Sequence, residues 1–170
     1  MMAENKQKNR SMWEAVKSGD LDKIKLLLSE DPAYIHKVTP FGTWLHVAAS
    51  SGQLKLAEYF LENGIDINAD SGIYGGNALN EAAQEGHADM VVFLLDRGSK
   101  FDVTEPERNA LFSAIHHGHT DVAKILIEAG IDTSVRYTGS SMKNMGALEF
   151  AKERGHPDTI KYIESVIKNA

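Results

Sequence analysis

The sequence predicts an all-α solenoid of stacked helix-turn-helix units joined by short finger turns. Two observations carry this. The pattern Leu-x-x-Ala-x-x-x-Gly recurs, in its first copy with Met for Leu, with its glycines at Gly19, Gly52, Gly86, Gly118 and Gly155, spaced 33, 34, 32 and 37 residues apart. Behind each glycine a second stretch carries apolar residues at helical spacing, and polar segments with Gly or Pro separate the units.

The first helix of each unit is marked by Met12 with Ala15, Leu45 with Ala48, Leu79 with Ala82, Leu111 with Ala114, and Leu148 with Ala151. Three residues apart, each pair shares one helical face, and the small alanine lets a neighbouring helix approach closely. The glycine that follows suits the left-handed residue ending a helix. The second helices show Leu21, Ile24, Leu27 and Leu28, then Leu54, Ala57, Phe60 and Leu61. Val91, Leu94 and Leu95 follow in the third unit, and Val122, Leu126 and Ile127 in the fourth. Gly64, Gly98 and Gly130 stop these helices. Ser11 with Glu14 reads as a capping box, while Thr43, Asn77 and Asn109 stand at the expected caps of the next three units. Pro157 opens the last helix, where its missing N–H costs little.

The boundaries that follow are a flexible tail over 1–10 and one domain over 11–170, with units at about 11–38, 39–72, 73–104, 105–139 and 140–170. No single helix pair buries its own apolar stripe, so the units must stack. Lys23 and Glu164 put charge where other units carry apolar residues, as the ends of a finite stack require, and the array is expected to be complete.

Thr43-Trp44-Leu45-His46-Val47-Ala48-Ala49 resembles the Thr-Pro-Leu-His-x-Ala-Ala signature of ankyrin repeats. Gly86-His87, Gly118-His119 and Gly155-His156 resemble the Gly-His turn of that family, and 63–68 and 129–132 its closing turn. The departures are Trp44, Ala78, Ala110 and Ala147 for the usual proline, and Asn80 and Phe112 for the usual histidine. The resemblance spans about residues 11 to 167. It implies a concave surface of fingers and first helices that binds another protein.

Composition narrows the remaining classes. Hydrophobic residues make up 42% and charged residues 25%, which excludes a disordered chain. The net charge of -6 argues against a nucleic-acid partner. With no cysteine there are no disulfides, thiolate nucleophiles or thiolate metal sites. The N-terminus MMAENKQKNR has no apolar stretch behind its charges, and no apolar run nears the roughly 20 residues that span a bilayer, so a cytoplasmic protein without a membrane partner is expected.

His46, His87, His119 and His156 fall at family turn positions, where the ring bonds backbone. His116 and His117 do not. With His119 they form a His-His-x-His run, but adjacent helical residues point in different directions and no carboxylate follows at ligand spacing, so no metal site is expected. The pairs Glu81 and Glu85, and Glu149 and Glu153, read as solvated acidic faces. No nucleophile elbow or phosphate loop occurs, and neither catalysis nor a cofactor is expected. Phe41, Trp44 and Tyr74 sit near finger turns, where an aromatic either anchors an interface or packs beneath the next finger; Trp13 reads as capping core. The last unit is longer, its extra residues lying within RYTGSSMKNM at 136–145, either a tolerated insertion or part of a binding face.

The candidate protein-binding residues are Trp44, Val47, Ser50, Tyr74, Glu81, Gln84, Glu85, Arg108, Ser113, His116, His117, Met145 and Arg154. The function expected is a non-enzymatic module, a monomer on its own, that masks or scaffolds one protein partner. One specific form is a bacterial immunity protein that neutralises a toxin. The alternatives are a kinase inhibitor of similar build and a metal-dependent enzyme using His116 and His117.

Overall fold

Helix formers without Gly or Pro fill the chain from its second residue, and helix α1 accordingly runs Met2–Ser18. The computed structural model describes residues 2–70, 75–139 and 141–169. After α1 come α2 (Leu21–Ser29), a short 3-10 helix (Pro32–His36), α3 (Trp44–Ser50), α4 (Leu54–Glu62), α5 (Ala78–Glu85) and α6 (Ala88–Asp96). The chain continues through α7 (Ala110–His117), α8 (Thr120–Glu128), α9 (Ala147–Arg154) and α10 (Pro157–Asn169). These are the five helix pairs that the repeat predicts.

One expectation at the start is corrected. Ser11 lies inside α1 and caps nothing, because the helix already runs through it, and Glu14 is held by Arg10 one turn earlier, Nε to Oε1 2.9 Å. The stretch 2–10, set apart as a tail by its polar composition, continues α1 without a turn. Asn9 and Tyr34 are joined by a hydrogen bond, and the Lys8 ammonium sits 4.6 Å from the Tyr34 ring centre.

The later caps form as the sequence implies. The Asn77 side chain accepts from the Asn80 N–H, and Asn109 from the N–H groups of Leu111 and Phe112. At Thr43 the capping partner is His46, whose Nδ1 lies 2.9 Å from the threonine hydroxyl. Pro157 is the first residue of α10.

The odd-numbered helices stack as one inner layer, α1 on α3, α3 on α5, α5 on α7 and α7 on α9. The outer helices α4, α6, α8 and α10 follow as a second layer. Ala15, Ala48, Ala82, Ala114 and Ala151 are all buried in the inner layer. Gly86 illustrates why the turn glycine is needed. Its φ of 76° is the left-handed region, and a Cβ there would come within 2.5 Å of the His119 ring. The histidine opening the next unit's second helix thus occupies the space that glycine leaves.

Candidate functional site

One position in the repeat decides what happens between fingers. Six residues before each turn glycine stand Trp13, His46, Asn80, Phe112 and Glu149. In the middle of the array this residue reaches the backbone of the next finger. His46 Nε2–H donates to the Gly76 carbonyl at 3.1 Å, and the Asn80 amide to the Glu107 carbonyl at 3.0 Å. Asn80 also accepts from the Ser113 hydroxyl at 2.8 Å, so both ends of its buried amide are used. His87 and His119 bond the carbonyls of Ser50 and Gln84 in the preceding unit. The His156 ring lies against Gly118, where an added Cβ would meet it at 3.0 Å.

Between the fourth and fifth units the same position is aromatic. Phe112 stacks on Phe150 with ring centres 4.9 Å apart, and meets the edge of Tyr137 at 4.9 Å. Tyr137 is buried, its hydroxyl donating to the Val103 carbonyl and accepting from the Asn109 amide. Burial raises its pKa, and the Asn109 bond opposes that. Residues 137–139 and 141–145 fold against each other as a hairpin in which Tyr137 and Met145 exchange both backbone hydrogen bonds at 2.9 Å. Arg136 braces the hairpin through the Asn144 carbonyl at 2.7 Å.

The hairpin and inner helices enclose a cleft of about 380 Å³. Its walls include Phe112 and Phe150, Gln84, Ser113, His116, His117 and Arg154, with Pro106 and Glu107 from one finger and Met142 from the hairpin. The Arg154 guanidinium lies 4.9 Å from the centre of the Phe150 ring, which keeps a cation over an apolar wall. His116 has its pKa lowered by desolvation, and then by Arg154, His117 and His156 around it. Beyond the cleft, Glu81 is raised by partial burial and by Glu85 beside it.

The structure brings five of the predicted residues together here: Gln84, Ser113, His116, His117 and Arg154. Ser113 is nearly buried, with its hydroxyl committed to Asn80. Met145 packs against the core from the base of the hairpin. Ser50 is partly exposed and Glu85 is exposed. Tyr74 lies outside the described residues.

Three predicted residues are corrected. Trp44 is 0% exposed and packs beneath the first finger, its indole N–H donating to the Tyr34 carbonyl at 3.1 Å. Val47 is 1% exposed in the inner-layer core. Arg108, read as an exposed contact, is clamped by Asp70 at 2.5 Å and Asp102 at 2.6 Å and is half-buried. Arg108 therefore ties two fingers together. Sequence reasoning missed Pro106 and Glu107 as cleft residues and touched Met142 only as part of the 136–145 insertion. The aromatic at the histidine position, Phe112, was the available signal.

Among the described residues no three His, Asp or Glu side chains converge as a metal site would require, and no helix is long and apolar enough to cross a membrane.

Comparisons place these observations among known proteins. Residues 12–105 match the family described as Ankyrin repeats (3 copies), and 107–137 that described as Ankyrin repeat. The chain is 31% identical over 107 residues to the Ankyrin repeat and SAM domain-containing protein 6 of Rattus norvegicus, covering 62% of this chain and 12% of that protein. It is 30% identical over 159 residues to an Ankyrin repeat and KH domain-containing protein of Caenorhabditis briggsae, covering 92% of this chain and 6% of the relative. A match of 33% over 96 residues to an L-asparaginase of Dirofilaria immitis covers 56% of this chain and 16% of that protein. The chain thus spans a small fraction of each of these relatives.

Proposed function

Because the chain belongs to the ankyrin-repeat family, in general a non-catalytic protein-binding scaffold, we propose that it holds one protein partner in the cleft under the fifth-unit hairpin. The observation that carries this reading is the Phe112–Phe150 wall with His116 and Arg154 at its edge. An apolar wall with a few fixed polar groups is the composition of a hot spot, where one or two side chains of the partner supply most of the affinity. The imidazole of His116 and the stacked cation of Arg154 offer it a hydrogen-bonding group and a charge. The aromatic wall is held from three sides, by α7, α9 and Tyr137, so little order has to be created on binding.

The test is affinity capture from the native host with the full chain, followed by calorimetry against the captured partner. His116→Ala combined with Arg154→Glu is expected to weaken the complex by roughly 2 kcal/mol or more without lowering the melting temperature. Lys55→Ala with Glu62→Ala, on the outer helix α4, is expected to leave it unchanged. Binding abolished by the α4 pair and untouched by the cleft pair would overturn the reading. A toxin as the captured partner makes the module an immunity protein, and a cyclin-dependent kinase makes it a kinase inhibitor.

A further inference from the structure

The first finger carries a feature that the other fingers do not share. Two residues before each capping residue stand Phe41, Gly75, Glu107 and Asn144. Only the first is apolar, so the repeat does not demand an apolar residue there. Phe41 is 51% exposed and Val38 beside it is 61% exposed. Their backbone is stiff, because Thr39 and Gly42 exchange both backbone hydrogen bonds and the Thr39 hydroxyl is bonded across the same turn. The exposed rings and branches are therefore held out by a rigid turn.

Phe41 leans on Trp13 of α1 with ring centres 4.6 Å apart. Between α1 and this finger lies a recess of about 430 Å³, its apolar walls formed by Trp13, Val38, Pro40 and Phe41, with the buried Trp44 behind them. The charged residues lining it are Arg10 and Lys37, both cationic. Helix α1 itself carries four basic residues against two acidic, in a chain whose net charge is -6. Arg10 shares its charge with Glu14 at 2.9 Å and Lys8 lies 4.0 Å from Asp31, so the positive excess at this apolar corner rests on Lys37 and on the two-charge surplus of α1.

We propose that this recess is a second docking site, which takes an apolar side chain of a partner peptide segment whose neighbouring residues are carboxylates. Charge complementarity selects the occupant, since Arg10 and Lys37 flank the apolar walls and would pair with Asp or Glu beside the inserted side chain. The recess of about 430 Å³ between α1 and the finger has room for an inserted side chain, which a peptide segment supplies. The site is independent of the cleft under the hairpin, which is built from other units.

The test selects short random displayed peptides on the immobilised full chain and measures the enriched peptides by calorimetry. The expected peptides place an aromatic or branched apolar residue next to Asp or Glu. Phe41→Ser is expected to weaken them at least about tenfold. Arg10→Gln with Lys37→Gln is expected to weaken them several-fold while leaving the apolar walls intact, which decides the matter should Phe41→Ser loosen the finger. His116→Ala with Arg154→Glu is expected to leave them unchanged. Selected peptides that lack acidic residues, or that ignore both the Phe41 and the Arg10/Lys37 variants, would overturn the proposal. So would Phe41-dependent self-association in sedimentation, or Phe41-dependent binding to phosphatidylserine vesicles without peptide binding. Peptides sensitive only to the His116/Arg154 variant would sink this site and leave the cleft standing.

Discussion

The joints in the middle of the array and the joint at its C-terminal end solve the same packing problem with opposite chemistry. At the second and third units, His46 and Asn80 cross to the next finger with a hydrogen bond to a backbone carbonyl. Arg108 then staples the neighbouring fingers through Asp70 and Asp102. Here the buried amide of Asn80 and the guanidinium of Arg108 each meet two partners. At the fourth unit Phe112 replaces the hydrogen-bonding residue, and the next finger is lengthened into a hairpin whose Tyr137 comes to meet it. The cleft lies over this aromatic joint, with Phe112 and Phe150 among its lining residues. The comparison teaches that this array opens a cleft where it abandons the residue that makes its repeats alike.

The largest effect is expected from Phe112→Ala. The ring is buried among Phe150, Tyr137 and the inner helices, so its removal should cost about 3–5 kcal/mol by denaturant unfolding. A loss below about 1 kcal/mol would show that the aromatic joint is slack, and that the C-terminal unit does not depend on it.

A smaller effect is expected at the polar joint. Asn80→Ala leaves the Glu107 carbonyl and the Ser113 hydroxyl without their partner and should cost roughly 1–3 kcal/mol. The same measurement should show no change in the affinity of a partner that binds the aromatic cleft walls, since Asn80 is buried and does not line the cleft. An affinity loss larger than the stability loss would mean that the two joints are coupled.

The smallest effect separates two residues that do the same work. His46 titrates and Asn80 does not. Burial lowers the His46 pKa below 6.5, opposed by its bond to the Gly76 carbonyl and by Asp70. A base whose folded-state pKa is depressed takes up its proton more readily in the unfolded chain. Its contribution to stability is full above pH 6.5 and is lost progressively as the pH falls below that value towards the depressed pKa. His46→Asn, copying the residue at the equivalent place one unit later, should therefore flatten the stability profile below pH 6.5. An unchanged acid slope in melting experiments would assign that slope to other groups.

Arg108 shows where reading residues one at a time breaks down. In the sequence it is an arginine on a finger turn, and arginine at such a place suits an interface. Its two carboxylate partners lie 38 and six residues earlier, and only the stacking of fingers brings Asp70 to it. Trp44 fails for a related reason. It stands where the family has proline, next to a turn, and nothing local shows that the 3-10 helix at Pro32–His36 lays a carbonyl over its indole N–H. The caps at Asn77 and Asn109 were legible because a cap is a contact between residues two or three apart.

The sequence alone determined the helix pairs, their order, the turn glycines and the inner-layer alanines. Each of these rests on short-range geometry repeated at a fixed period: side chains three or four apart share a face, and only glycine takes the left-handed cap without strain. It also determined that Gln84, His116, His117 and Arg154 belong to the inner helices, and the register of the repeat puts them on one surface. Tertiary structure alone decided which of those residues share a cleft, that Tyr137 fills the joint, and that Met142 hangs over it. Those facts depend on how far a hairpin folds back and on which rings meet across two units. Such contacts are set by the packing of side chains far apart in the chain, with separations of 28 and 34 for the Tyr137 bonds to Asn109 and Val103. A periodic pattern encodes neighbours along one helix face. It carries no record of the distances between irregular loops, and the cleft is made of those distances.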